Sequence, residues 1–137
     1  MTHFLAPLIA RDRTGSALVN ARTGSVIASV VEAATDSRSR RRGLLGRDGL
    51  KAGHGIVLAP CSAVHTWFMR FPIDVIFVAR DGRVLKTVER LQAWRLAARP
   101  GAFAVIELSA GALRNAGLAC GDHMVFRPCP SEETSAS

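Results

Sequence analysis

Short runs of apolar residues, separated by turns that contain glycine or proline, recur along the whole chain. The runs are rich in valine and isoleucine, which favour the pleated, half-buried surface of a β-strand. They predict strands at residues 17–20, 26–33, 55–59, 63–69, 74–79, 84–91, 103–108 and 123–127. The run at 74–79 is the strongest, and Asp81-Gly82 separates it from the alternating run at 84–91, which predicts a β-hairpin.

Two short segments favour helix instead. Thr35 or Asp36 can cap a helix over residues 36–46, because a short side-chain oxygen accepts an unpaired backbone N–H. A second short helix is predicted over 110–117 and ends at Gly117. The pattern as a whole predicts an α+β fold: a single compact domain of mostly antiparallel β-sheet, curled towards a small barrel, with these two helices.

The length and composition fit one globular domain. The chain has 137 residues, of which 48% are apolar and 21% are charged, ordinary values for a folded protein. We expect a flexible N-terminal arm at 1–15, a single domain over 16–128 and a mobile polar tail at 129–137. No apolar run is long enough for a membrane span or a signal peptide. The three cysteines form no Cys-x-x-Cys pair, which indicates reduced thiols and a cytoplasmic location.

The charge balance is basic, with a formal net charge of +7. Sixteen of the basic residues are arginine, and only Lys51 and Lys86 are lysine. The densest run, Arg38–Arg42, can lie along nucleic-acid phosphates or form a solvated helix face. Both interpretations stay open. The excess of arginine over lysine does not decide between them, because a GC-rich genome also enriches arginine.

Several sequence blocks follow one another in a characteristic order. They are RGLLGR at 42–47, GIVL at 55–58, HTWFMRFPIDVIFV at 65–78, DGRV at 81–84, ELSAG at 107–111 and GD at 121–122. In these blocks, over about residues 26–127, the chain resembles the bacterial family of uncharacterised proteins known as domain of unknown function 192. The resemblance implies a compact mixed β domain, and it implies no established activity, substrate or cofactor.

The chain departs from the commonest pattern of that family at two places. Many members have Met where Leu45 stands. Many also have a longer stretch containing Asn and Thr where only four residues separate Met69 from Asp74 here. Any role of that Asn and Thr therefore cannot be carried over to this chain.

The block at 65–78 holds most of the candidate site residues. Alternation along a strand places His65, Trp67 and Met69 on one face, with Asp74 just beyond the Phe71-Pro72 bend. A histidine near a carboxylate can carry a proton at neutral pH or bind a ligand. The alternative is that His65 and Asp74 bond to the backbone and hold the hairpin in register.

Two further residues complete the predicted binding set. Arg42 lies in a family-like block and is predicted to pair with a carboxylate such as Asp74 or Glu107. Trp94 lies beside Arg95 in the 92–102 loop, where it either anchors the loop or forms an exposed aromatic patch for a partner. The His and Cys spacings demand no zinc site, and we expect neither a metal nor a cofactor.

These residues favour a small, soluble, non-enzymatic accessory module that binds a ligand or partner protein at the face bearing His65, Met69 and Asp74. Two alternatives stay open. One is nucleic-acid binding through Arg38–Arg42, with an affinity that falls with salt, and the other is an enzyme that uses His65 and Asp74. No motif identifies the ligand, the partner or the oligomeric state.

Overall fold

The structure is a computed structural model and describes residues 4–6, 16–35 and 49–128. These residues form ten β-strands. The strands are β1 (Ser16–Asn20), β2 (Val26–Ala28), β3 (Val30–Ala34), β4 (His54–Leu58), β5 (Ala63–His65), β6 (Ile73–Val78), β7 (Val84–Leu91), β8 (Leu96–Ala98), β9 (Ala104–Ser109) and β10 (Met124–Pro128).

The strands assemble into three sheets. A five-stranded sheet has the order β3-β4-β9-β6-β7, with β3 parallel to β4 and the other neighbours antiparallel. A three-stranded antiparallel sheet has the order β10-β1-β2. The third sheet, called the β5–β8 ribbon below, pairs only these two strands.

The central strands β4, β9 and β6 of the five-stranded sheet are buried on both faces. Along β6, Val75 and Phe77 lie in one apolar cluster, whereas Ile76 and Val78 lie in the other. The three-stranded sheet covers the face that bears Ile76 and Val78. It contributes these residues to their cluster: Leu18, Ile27, Ala28, Met124 and Phe126. The ribbon and the turn after it cover the opposite face with Val64, Met69 and Ala97. The five-stranded sheet is therefore the middle of three layers, which explains why 74–79 is an almost continuous apolar run.

The α+β prediction is wrong for the described residues, which are almost entirely β. The predicted helix at 110–117 is a series of turns, in which the N–H groups of Ala112, Arg114 and Ala116 bond to carbonyls three residues earlier. The N–H groups of Gly111 and Leu113 donate instead to the side chain of Asp74. The predicted helix at 36–46 lies outside the described residues.

The predicted small barrel is also wrong. The sheets are separate and stack on one another instead of closing on themselves. The physical reason is the two-sided burial of β4, β9 and β6, since a strand in a small closed barrel has only one face towards the interior. Strands that are apolar on both faces need a layer on each side.

The predicted β6–β7 hairpin is confirmed. The two strands pair antiparallel, and Gly82 in the connecting turn has a φ of 87°. A Cβ atom at Gly82 would clash with the Met124 carbonyl oxygen, so the turn requires glycine. Three other predictions need adjustment: the run at 26–33 forms two strands, the run at 63–69 leaves the strand after His65, and the predicted loop at 92–102 contains β8.

Part of the predicted N-terminal arm is described. Leu5 is buried in the core, and the N–H of Phe4 donates to the Arg80 carbonyl at 2.9 Å. The Phe4 ring stacks on Phe126 with centroids 5.6 Å apart. The rest of the arm and the tail at 129–137 lie outside the described residues, and the domain boundaries stay predictions.

Candidate functional site

The β5–β8 ribbon brings two loops side by side at one end. His65 at the end of β5 is paired with Leu96 at the start of β8. Beyond this pair, the Thr66 N–H donates to the Arg95 carbonyl at 2.8 Å, and the Trp94 N–H donates to the Thr66 carbonyl at 3.0 Å. The turn at 66–69 and the loop at 92–95 therefore lie next to each other.

Large apolar side chains are exposed on these adjacent loops. The exposed fractions are 48% for Trp67, 71% for Phe68, 56% for Trp94 and 68% for Leu96. The rings of Phe68 and Trp94 are 4.6 Å apart, and those of His65 and Trp67 are 4.8 Å apart. We call these five residues the aromatic surface. Clustered exposure of this kind is typical of interaction sites, whereas single exposed apolar residues are not informative.

The backbone of the aromatic surface is strained at two positions. Phe68 has a φ of 65° and Trp94 a φ of 62°, both in the left-handed region that favours glycine. A side chain with a Cβ atom costs about 1–2 kcal/mol in this region. Both strained residues are aromatic and in contact with each other, so their surroundings must hold them in place.

Thr66 supplies much of that support. It is fully buried, its hydroxyl donates to the Gln92 carbonyl at 2.5 Å, and the Arg95 N–H donates to its hydroxyl oxygen at 2.8 Å. Its carbonyl oxygen accepts from the N–H groups of Met69, at 3.2 Å, and Trp94. One buried threonine thus joins the turn at 66–69 to the loop at 92–95.

Asp74 supports the other side of the same loop. The side chain is fully buried, and its carboxylate accepts the N–H of Arg90 at 2.8 Å, of Gly111 at 3.1 Å and of Leu113 at 2.8 Å. Arg90 also has a positive φ, of 50°. The carboxylate therefore fixes the end of β7, from which the chain enters the loop that carries Trp94.

The charges on the segments that build the aromatic surface are all positive. These segments, 61–72 and 90–99, contain four arginines and no aspartate or glutamate. Arg70, Arg90 and Arg95 are exposed. Charge of one sign on an exposed surface raises the local concentration of ligands of the opposite sign.

Another group of polar side chains joins the turn after β1 to the turn before β10, at one end of the three-stranded sheet. Asp122 accepts from Arg22 at 2.7 and 3.0 Å, from Asn20 at 2.9 Å and from the Ala119 N–H at 2.9 Å. The hydrogen bonds from Arg22 are the largest cause of a pKa of Asp122 well below its ordinary value. Because these hydrogen bonds connect segments about 100 residues apart in sequence, the cluster serves as a structural clamp.

The structure distributes the predicted site residues over different environments. His65, Trp67 and Trp94 lie on the aromatic surface, whereas Met69 is buried in the core, because the turn at 66–69 ends the strand alternation. Asp74 is bonded to backbone groups, while the His65 ring lies against Trp67 at the surface, tilted by 34°. Arg42 and the run Arg38–Arg42 lie outside the described residues.

Sequence reasoning misses three contributors to this surface. Strand alternation puts Phe68 on the face opposite His65, and nothing in the sequence marks an aromatic residue with positive φ. Leu96 falls in a predicted loop, although the spacing of Trp94 and Leu96 is typical of one face of a strand. Alternation also puts Thr66 on that opposite face. Its role could not be predicted, because its hydrogen-bond partners lie 26 and 29 residues away in sequence.

Two kinds of feature are absent from the described part of the chain. No group of three or more His, Cys, Asp or Glu side chains in residues 4–6, 16–35 and 49–128 is placed to hold a metal ion. Within the same ranges, no helix has the length and apolar character needed to cross a membrane.

Fold and site together define a class: a small three-layer β domain that displays a strained aromatic surface on a two-stranded ribbon. The chain belongs to the family of domains of unknown function 192, described as Uncharacterized ACR, whose model matches residues 18–126. No curated protein matches the chain.

Two solved structures share the fold. One is a Sinorhizobium meliloti 1021 protein provisionally described as a transcription regulator, with a TM-score of 0.70 and 24% identity over 81% of this chain and 91% of that one. The other is a Novosphingobium aromaticivorans DSM 12444 protein of unknown function, with a TM-score of 0.68 and 22% identity over 80% of this chain and 81% of that one. At these identities the likeness concerns the fold alone.

Proposed function

We propose that this domain is a non-enzymatic binding module and that the aromatic surface is where it contacts its partner. The observation that carries the proposal is the pair Phe68 and Trp94, exposed, in contact, and both held at positive φ. Neither the exposure nor the backbone conformation stabilises the fold. Apolar area that stays in contact with water contributes no hydrophobic stabilisation, and a positive φ is unfavourable for both residues.

The support beneath the surface strengthens the argument. Thr66 and Asp74 are buried polar residues whose hydrogen bonds fix the loop that carries Trp94. A fold that uses two buried polar side chains to maintain an unfavourable loop is preserving the geometry of that loop. Preorganised aromatic side chains are frequent anchors at binding sites, because little conformational entropy is lost when they are bound.

The contacts of Asp74 favour binding over catalysis. A general base needs a free oxygen within reach of the proton that it removes. The carboxylate of Asp74 instead accepts three backbone N–H groups in the interior. Among the predicted pair, His65 alone is exposed, and its ring lies against Trp67.

The proposal can be tested without knowing the partner. In a variant that combines Trp67→Ser, Phe68→Gly and Trp94→Gly, we expect the free energy of unfolding to change by less than about 1 kcal/mol. The matched control is Met69→Ala in the same turn, whose buried side chain belongs to the core and whose loss costs about 2–5 kcal/mol. A triple variant that loses as much as the control would mean that the aromatic residues are loop anchors, and the proposal would be wrong.

A further inference from the structure

We infer that the aromatic surface binds single-stranded nucleic acid, with bases stacked on its rings and phosphates at its arginines. This inference rests on the proposed function, because it names the ligand of the same surface. It is carried by three observations: ring pairs with exposed area, segments that are basic and contain no acidic residue, and a backbone beneath the rings that hydrogen bonds hold in place.

The ring pairs suit stacking. Trp67 and Trp94 are each about half exposed, at 48% and 56%, and each contacts one further ring. A ring that is about half exposed has open area on which a planar ligand can stack. Stacking of a base on an aromatic side chain is worth about 1–3 kcal/mol and tolerates any sequence, because every base has a π-face. Histidine, which pairs here with Trp67, also stacks on bases.

The charge identifies the ligand as anionic. The two segments that build the surface contain Arg70, Arg90, Arg95 and Arg99, with no acidic residue among them. Arg95 is exposed and directly follows Trp94 in sequence. An arginine next in sequence to a stacking ring allows one ligand to contact both, provided that it carries rings and phosphates in alternation. Single-stranded nucleic acid has this chemistry.

The supported backbone beneath the rings favours this ligand over an anionic membrane, which arginines and tryptophans also recognise. A lipid interface is fluid and gains nothing from rings in set directions. Here the backbone holds Phe68 and Trp94 at positive φ, and Thr66 bonds to both loops. Rings carried on a supported backbone suit a ligand whose own rings have defined planes.

The chain contains its own reporter. It has two tryptophans, Trp67 and Trp94, and both lie on the aromatic surface. Intrinsic tryptophan fluorescence therefore reports contact at this surface alone. Titration with an oligothymidylate of about 15 nucleotides should give saturable quenching, and a duplex of the same length should bind more weakly, because its bases are not available for stacking.

Substitutions assign the binding to this surface. Phe68→Gly should weaken binding about tenfold, as expected for the loss of one stacked base. Arg95→Ala should reduce the slope of log affinity against log salt by about 0.7, the value for one phosphate contact on a single strand. The control Arg127→Ala removes an exposed arginine from β10, in the sheet on the other side of the middle layer, and should leave the slope and affinity unchanged.

Three results would overturn the inference: no saturable quenching by the oligonucleotide, equal effects of Arg95→Ala and Arg127→Ala, or tighter binding to phosphatidylglycerol vesicles than to the oligonucleotide. The proposed function is judged separately by the stability of the triple surface variant. If that variant is stable and the oligonucleotide does not bind, the ligand class is wrong while the binding surface stands.

Discussion

Asp74 and Phe68 lie six positions apart and invert the usual placement of their residue types. Asp74 is a carboxylate with no exposed surface, whereas Phe68 is a large aromatic residue that is 71% exposed. Asp74 is fully compensated, because three backbone N–H groups bond to it. Phe68 is not, since it also has an unfavourable φ.

The difference separates what the fold needs from what it displays. A buried carboxyl group that is satisfied by the backbone organises the loops around it, and its removal leaves those donors unpaired. An exposed aromatic residue in a strained conformation costs stability, and such costs are concentrated at functional sites. Substitution of Asp74 should therefore lower the stability of the fold, whereas substitution of Phe68 should weaken binding.

The largest effect is expected at Asp74. In Asp74→Asn, an amide NH₂ replaces one carboxylate oxygen and must face a backbone N–H group, so the variant should lose about 2–4 kcal/mol in the free energy of unfolding. Denaturant unfolding measures this loss. The control is Glu89→Gln on the exposed side of β7, which should change the free energy by less than about 0.5 kcal/mol. Similar losses for the two variants would mean that Asp74 does not stabilise the fold.

A smaller loss is expected at Thr66. Thr66→Val keeps the shape of the side chain but removes the donor to Gln92 and the acceptor for the Arg95 N–H, at a cost of about 1–3 kcal/mol. Amide hydrogen exchange at Trp94 and Arg95 should accelerate more than exchange in β6. Thr87→Val on β7 is the matched control, because valine suits a strand. Unchanged exchange in the loop would contradict the role given to Thr66.

A third effect is confined to acid conditions. The hydrogen bonds from Arg22, and then that from Ala119, hold the pKa of Asp122 below its ordinary value of 3.8. The unfolded chain binds the proton first, so the stability that Asp122 contributes is present above pH 3.8 and is lost as the pH falls below it. Asp122→Asn should be less stable at neutral pH, and its stability should fall less steeply between about pH 5 and pH 2. Parallel pH profiles for the two proteins would contradict the clamp.

The strands and the central hairpin were largely predictable from the sequence. Asp81-Gly82 between two apolar runs specifies a tight turn, and the apolar run that forms β6 could only be a buried element. The number of layers was not predictable, because an apolar run shows that both faces are covered but not by what. The helix predicted at 110–117 fails because the backbone of Gly111 has a φ of 97°, outside the helical region, and N–H groups that follow it bond to carbonyls three residues earlier.

The candidate site was predictable only in part. Trp94 beside Arg95 indicates an aromatic and basic patch, and His65 and Trp67 do lie together. The prediction for Met69 is wrong because strand alternation does not continue through a segment that turns at Thr66. The positive φ of Phe68 has no sequence signal, because left-handed residues are usually glycine or asparagine and are set here by tertiary contacts.

The smallest expected effect shows whether the fold holds exposed aromatic residues in an unfavourable conformation. The measurement is the difference in the free energy of unfolding between Phe68→Gly and Phe68→Ala. At an ordinary negative φ, alanine is the more stable of the two by about 0.4–1 kcal/mol. Here the sign should reverse, with glycine more stable by about 0.5–1 kcal/mol, because only glycine adopts a φ of 65° without strain. A more stable alanine variant would mean that Phe68 is not strained, and the backbone conformation would no longer support a binding role for the aromatic surface.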